Sequence, residues 1–471
     1  MGGCSTSAFS GLLAVFVVLM VTLQASASAP VTFEGNEYRV GSTIRRDVCI
    51  VGGGSSGTYA AIRLSDMGKS VVVIEQKGRL GGHTETYTDP MSGLKRDIGV
   101  EVWHDLPLVK EYFARLNVSL VRRPLTSSNT EFFDFETGNI ASSNVAANLS
   151  AGLAAYGTQC AKYPYLEKGF DLPYPVPSDL LLPWGQFVKK YCLESMVGFH
   201  YRFAQGMGDT LAQSTLYVMK NFGLDILKNL QLGFLTTELN DNSLLYEHAT
   251  EALNGNLLLN SKIVKIDRSG QGGIRIVAST KDGLTQLTCK KLIMAIPPKL
   301  ENLSGWDLAP IERELFVQFT NTGYYTGLLR NTGIPNNVSL VNVSPKTEYN
   351  QMILPGIYSL TETNIPGLVG VTFGSAQALP DHDVKRKILS DVRRLNYPGK
   401  GPSKPEFVVF SRHAPFELTV STTAIARGFY KSLSDLQGQQ NTWYTGAAFH
   451  TQDSSLIWEF TEALLQNITA S

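Results

Sequence analysis

The sequence predicts a chain of mixed α/β and α+β class, in which a dinucleotide-binding domain built on a parallel sheet is interleaved with a second domain. Three observations predict it. The glycine loop Gly52-Gly53-Gly54-Ser55-Ser56-Gly57 stands between an apolar strand and a helix. An acid, Glu75, closes the next apolar strand 18 residues after Gly57. Strand-type segments then resume only after residue 254, beyond a long stretch rich in aromatics and proline. A length of 471 residues is also too much for one simple core.

Residues 1–27 read as a signal peptide. Gly11 to Leu23 is a largely apolar run of 13 residues, short of the roughly 20 that a membrane-spanning helix needs. Ala25-x-Ala27 follows with small residues at the cleavage positions, so cleavage is expected after Ala27. The expectation is a secreted or secretory-lumen protein without a stable membrane anchor. An uncleaved anchor is the competing reading, because no Lys or Arg precedes the apolar run. Asn-x-Ser/Thr acceptors at Asn117, Asn148, Asn302, Asn337, Asn342 and Asn467 fit secretion, although Pro345 follows the Asn342 site closely.

Asp47 to Val51 forms the first strand, and Thr58 to Leu64 has helical spacing, with Gly68 placed to end that helix. Ser70 to Glu75 is the second strand, completing a β-α-β unit. The dinucleotide-binding domain is expected in three parts, at residues 45–125, 241–300 and 431–471. Residues 126–240 read as a mostly helical substrate domain, broken by Pro164, Pro173, Pro175, Pro177 and Pro183. Residues 301–430 read as its α+β portion. In the third part a helix from Asp453 to Leu465 closes the chain.

Composition excludes several classes. Apolar residues make up 43% and charged residues 17%, which fits a globular enzyme. Lys plus Arg and Asp plus Glu balance at 41 each, so nothing draws the chain to nucleic acid or an anionic membrane. No zinc-type His/Cys cluster is present, and no metal is expected. Cys49 and Cys289 lie in apolar strands and read as buried thiols. Cys160 and Cys192 lie in loop-rich sequence, where a bridge is open but not fixed by spacing.

The loop's chemistry follows from its spacing. Gly52 permits the tight turn, Gly54 lets backbone approach a pyrophosphate, and Gly57 lets helix and strand pack closely. Ser55 and Ser56 read as phosphate-loop residues rather than nucleophiles. The helix N-terminus adds free N–H groups and a positive dipole end. Glu75 can accept both ribose hydroxyls and would repel a 2′-phosphate, which argues against NADP.

The choice between NAD and FAD rests on the next segment. Gly78-Arg79-Leu80-Gly81-Gly82-His83-Thr84 resembles the second glycine motif of the flavin amine oxidase superfamily, in which the arginine and the glycine pair contact phosphates and flavin. Asp97-Ile98-Gly99 resembles the segment of that family in which backbone nears the flavin. Ile263-Val264-Lys265-Ile266 resembles its adenine-holding strand, with Val264 the contact. Tyr444-Thr445-Gly446-Ala447 resembles its terminal motif, in which a helix N-terminus faces the flavin pyrimidine. From Asp47 through His104 the chain is most similar to the fungal β-cyclopiazonate dehydrogenase family, on the glycine loop, on Gly81-Gly82-His83-Thr84 and on Val102-Trp103-His104. The resemblance implies a Rossmann-like, glutathione-reductase-like FAD-binding domain interleaved with a substrate domain. It implies hydride transfer from a small organic substrate to flavin N5, with oxidation or oxidative cyclisation of a secondary metabolite as the reaction. Molecular oxygen is the expected acceptor.

His83 stands where amine oxidases usually carry arginine. Two roles are open to it: a hydrogen bond to the cofactor, or a covalent bond to the flavin 8α-methyl. His104 reads either as a base or substrate contact, or as a histidine bonded at the domain junction. Tyr444 reads either as an aromatic wall beside the flavin or as a core aromatic. Trp184, Tyr191 and His200 are weaker substrate-contact candidates. Two other functions compete: an amine oxidase releasing peroxide from a simple amine, and a flavin-binding protein without turnover.

Overall fold

The computed structural model describes residues 1–2, 30–33, 35–123, 129–143, 145–270, 272–401 and 403–470. Apart from its first two residues, the expected leader lies outside the described residues. The first sheet is built from seven strands: β1 (Ser42–Val51), β2 (Val71–Ile74), β3 (Leu257–Leu258), β4 (Lys262–Asp267), β5 (Ile274–Thr280), β6 (Gly283–Met294) and β7 (Thr442–Tyr444). Their order is β3-β2-β1-β6-β5-β4, with β7 added beside the second half of β6. β3, β2, β1, β6 and β7 run parallel, whereas β4, β5 and β6 form an antiparallel meander.

Register explains where a ligand can sit. Val51 pairs with Ile74 and with Met294, and Met294 pairs with Tyr444. Four strands therefore end level. Gly52, Glu75, Ala295 and Thr445 follow in one row along the carboxyl edge, which is where open parallel sheets bind ligands. Helix α1 (Ser55–Asp66) leaves this edge beside α2 (Ser454–Ala470).

The sheet is covered on both faces, as a parallel sheet requires. Val48 and Ile50 face a core with Tyr59, Trp103 and Trp458. Cys49 and Val51 face the other way, into a core shared with Trp184, Tyr217 and Tyr444. The second sheet also has seven strands, ordered Glu406–His413, Gly323–Arg330, Leu368–Ser375, Gly356–Glu362, Ser339–Asn342, Thr130–Asp134 and Asn139–Ile140. Helix Asp381–Arg394 packs Val384, Ile388 and Val392 into its core. The stretch 126–240 thus opens with β structure that completes the sheet of 301–430, and its helices start at Leu149.

Two expectations are corrected here. Cys49 and Cys289 are not free thiols. They form a disulfide between β1 and β6, with Cα atoms 5.8 Å apart. The strands are neighbours although the cysteines are 240 residues apart in sequence. Cys160 and Cys192 do not pair: the first is a buried free thiol and the second an exposed one. Burial pushes the Cys160 thiol up to about 12, which makes it inert. We therefore expect iodoacetamide to label Cys192 in the native protein and Cys160 only after unfolding. Cys49 and Cys289 should label only after reduction, as read by peptide mass; their labelling in unreduced, unfolded protein would contradict the bridge.

The second correction concerns Asn342. It is 8% exposed, its Oδ1 accepts from Phe135 N at 3.1 Å and its Nδ2 donates to Ile357 O at 2.7 Å. A side chain locked into the second sheet cannot be a glycan acceptor. Asn117, Asn148, Asn302, Asn337 and Asn467 are exposed. Among the described residues no helix is long and apolar enough to cross a membrane.

Candidate active site

The three motif glycines have distinct surroundings. Gly52 has φ +103°, and a Cβ there would lie 2.7 Å from the Ala295 carbonyl at the end of β6. At Gly57 a Cβ would lie 1.9 Å from the Gly52 carbonyl, so only glycine lets α1 pack on its strand. Gly54, the residue before α1, has open space: its nearest would-be neighbour is Gly82 Cα at 3.9 Å. Its backbone is the part of the loop a ligand can approach.

The second glycine segment folds onto the first. Gly81 N donates to Gly53 O at 2.8 Å, and Gly82, at φ +58°, faces Gly54 across a gap that a Cβ would close to 3.0 Å. Glu75 ties the two segments. Its carboxylate accepts from Gly53 N and from Lys77 N, each at 2.7 Å, and each oxygen keeps a lone pair for a ribose hydroxyl. Arg79 braces the loop from within, donating to Leu80 O, Thr84 O and Gly82 O and pairing with Glu85.

The cradle between the segments fits a pyrophosphate. The hydroxyls of Ser55, Thr84 and Tyr246 converge there, buried and without a well-formed hydrogen bond. Buried hydroxyls are costly to leave unbonded. Here they stand at the N-terminus of α1, where an anion is favoured. Ser56 is buried, and Gly446 (φ +111°) brings the terminal segment close enough that a Cβ would lie 3.6 Å from Ser56 Oγ.

Gly99 is pressed against the second loop: a Cβ there would lie 1.8 Å from His83 O. The neighbouring Asp97 accepts from Thr86 Oγ1 at 2.5 Å and Asn242 N at 2.9 Å, and burial pushes its carboxyl up to about 7. Val264 falls in a β-bulge, since Ile263 pairs with Ala278 and Lys265 with Val277. Ser261 N donates to Glu75 O at 2.9 Å, so it is Ser261 that the fold brings to the ribose acid. Val264 lies three residues further on, with its carbonyl against Gly305.

His83 meets the second sheet. Its ring stacks on His413 at 4.5 Å and 17°, and Phe416 lies 6.1 Å away. Ser411 Oγ holds His413 Nε2 at 3.0 Å. Burial, helped by Lys77, pushes His83 down to about 4, so its imidazole is neutral near pH 7. Burial likewise keeps His413 well below the ordinary histidine value.

The other candidates are held in the interior, except the half-buried Tyr191. His104 is fully buried, with Nε2 3.0 Å from Asp453 Oδ2. Tyr444 is 1% exposed; its ring stacks on Phe449 and its hydroxyl is bonded to Glu312 and to Arg268. Trp184 and His200 are fully buried among aromatics, and burial lowers His200 to about 3. Tyr191 bonds Asp179. Tyr246, Thr84, His413 and Asp453 are the partners that sequence reasoning missed. Thr84 closes the second glycine motif, but the sequence assigns it no contact. The others reach the site only through tertiary contacts.

Comparisons with known proteins accord with this geometry. Residues 50–116 match the NAD(P)-binding Rossmann-like domain family. The FAD-dependent oxidoreductase oblC of Cochliobolus heterostrophus is 37% identical over 468 residues, 96% of this chain and 97% of its own. The β-cyclopiazonate dehydrogenase of Aspergillus oryzae is 34% identical over 91% of this chain and 94% of its own. A CLA-producing fatty acid isomerase from P. acnes has the same fold, with TM-score 0.74, 18% identity and coverage of 90% and 98%. Putrescine oxidase bound to putrescine shares it too, with TM-score 0.66, 16% identity and coverage of 91% and 100%. The chain therefore belongs to the FAD-dependent oxidoreductases that include β-cyclopiazonate dehydrogenase, built on the flavin amine oxidase fold.

Proposed function

We propose that this enzyme works in the secretory pathway and removes a hydride from a C–H bond of a small secondary metabolite, by oxidation or oxidative cyclisation. The observation that carries the reading is the paired glycine cradle with its three unspent hydroxyls. When bound, the flavin supplies the hydride acceptor at N5. Gly54, Ser55, Thr84 and Tyr246 would hold the pyrophosphate, Glu75 the ribose, and His83 the flavin itself. The rings of His413, Phe416 and Tyr324 beside His83 offer an uncharged wall, which suits a ring-bearing metabolite better than a small diamine. Molecular oxygen is the acceptor. The disulfide, the exposed glycan acceptors and the leader sequence support an oxidising compartment.

A neutral imidazole serves either role of His83, since one ring nitrogen keeps an N–H to donate and the other a lone pair for a covalent bond. Acid precipitation of the purified holoprotein separates them. We expect a yellow supernatant if His83 acts through a hydrogen bond. A yellow pellet, lost in His83→Ala, would assign the covalent bond instead. Anaerobic bleaching of the flavin by simple alkylamines, with peroxide on re-aeration, would overturn the metabolite reading.

A further inference from the structure

His104 lies beyond the reach of solvent, yet it sits at the start of the terminal helix. Its backbone N–H donates to Ser455 Oγ at 3.0 Å, and Phe234 covers one side of its ring edge-to-face. Its Nε2 meets Asp453 Oδ2. The other oxygen of Asp453 accepts from Leu456 N at 3.1 Å, and its carbonyl accepts from Ile457 N at 3.0 Å. Asp453 is thus the cap of α2. α2 touches the cofactor loop at the start of its second turn, because Trp458 Nε1 donates to Ser55 O at 3.2 Å.

This geometry sets two charges against each other. The first turn of a helix presents roughly half a positive charge. An ionised cap cancels it, and a cation beside the cap restores it. Burial disfavours charge on His104, but Asp453, with Asp225 and Glu167 further off, outweighs burial and raises the imidazole above its ordinary value. Burial also opposes ionisation of Asp453, but His104 and the Leu456 N–H hold its carboxyl low; the neighbouring His450 is itself kept neutral by burial and by Lys220.

We propose that His104 is a positioning residue acting through Asp453: the imidazolium neutralises the cap of α2 and leaves the helix's positive end available to the reduced flavin. This rests on the FAD reading above and goes beyond it. His104 is then neither the base nor a substrate contact.

The test is the equilibrium for flavin reduction against a reference dye at pH 6, with holoprotein. In H104Q the lone carboxylate remains, and the equilibrium constant for reduction should fall about tenfold, or about 30 mV for a two-electron couple. D453N should stay within about twofold of wild type, because asparagine keeps the cap and His104 then gives up its proton. The double variant H104Q/D453N should match D453N. An unchanged equilibrium in flavin-loaded H104Q would overturn the proposal, as would a fall in D453N equal to that in H104Q. If H104Q does not fold, wild type and D453N are compared between pH 5.5 and 8.5. Wild type alone should lose the tenfold as His104 deprotonates, and parallel curves would overturn the proposal. A wild-type protein without flavin would instead defeat the cofactor reading.

Discussion

A Gly54→Ala chain should fold like the parent and purify without cofactor. Gly54 has ordinary extended backbone, and the nearest atom to an added Cβ is 3.9 Å away. The methyl group therefore costs the empty fold little. It would stand instead where a pyrophosphate meets the backbone of the loop. Losing one or two charge-assisted hydrogen bonds costs about 3 kcal/mol, roughly a hundredfold in affinity. Gly57→Ala should behave in the opposite way. Its Cβ would be 1.9 Å from the Gly52 carbonyl, so helix and strand must separate, at about 3 kcal/mol or more. Circular dichroism with flavin absorbance distinguishes the pair. A yellow Gly54→Ala protein with native affinity would show that the ligand does not approach this loop.

Arg268→Met should be the most destabilising change outside the glycine loops. The Arg268 side chain is 0% exposed. It donates to Asp307 Oδ1 at 2.8 Å and to both oxygens of Glu312, at 2.8 and 2.6 Å. Burial opposes ionisation of Glu312, but Arg268 outweighs burial and holds the carboxyl below its usual range. Removing the guanidinium strands the buried Glu312 carboxylate and leaves the half-buried Asp307 without its partner, which costs about 3–5 kcal/mol. The staple's contribution is complete above about pH 4.5 and is lost as pH falls and Glu312 protonates. Tyr444→Phe removes one bond to a carboxylate that keeps Arg268, so about 1–2 kcal/mol is expected, with an unchanged flavin spectrum. Urea unfolding of the three proteins measures these differences. Equal stability of Arg268→Met and wild type would remove the staple from the account.

These two regions also show which parts of the molecule could be read from sequence. Gly52, by its positive φ, and Gly57, by its closeness to the Gly52 carbonyl, have local reasons to be glycine, and Glu75 reaches Gly53 across a single β-α-β unit, so contiguous spacing carried the cofactor loop. The level ends of four strands could not be read, because β6 and β7 join β1 from residues more than 200 positions away. The same distance hid the Cys49–Cys289 bridge, the stack of His83 on His413, and the close approach of His104 Nε2 to Asp453. Tyr444 was ambiguous for a different reason. Gly446, two residues on, lies against Ser56 of the loop, while the side chain of Tyr444 is committed to a buried core and to Glu312 and Arg268. Thr130–Asp134 escaped notice because a five-residue strand completes its hydrophobic pattern only against Ser339–Asn342.

The most direct test of the account is the identity and amount of cofactor in the purified, unreconstituted protein. Visible spectra and mass spectrometry of the released or peptide-bound cofactor should give one FAD per chain, with the flavin lost in Gly54→Ala. A nicotinamide dinucleotide in its place, or a colourless chain that no added FAD colours, would contradict it.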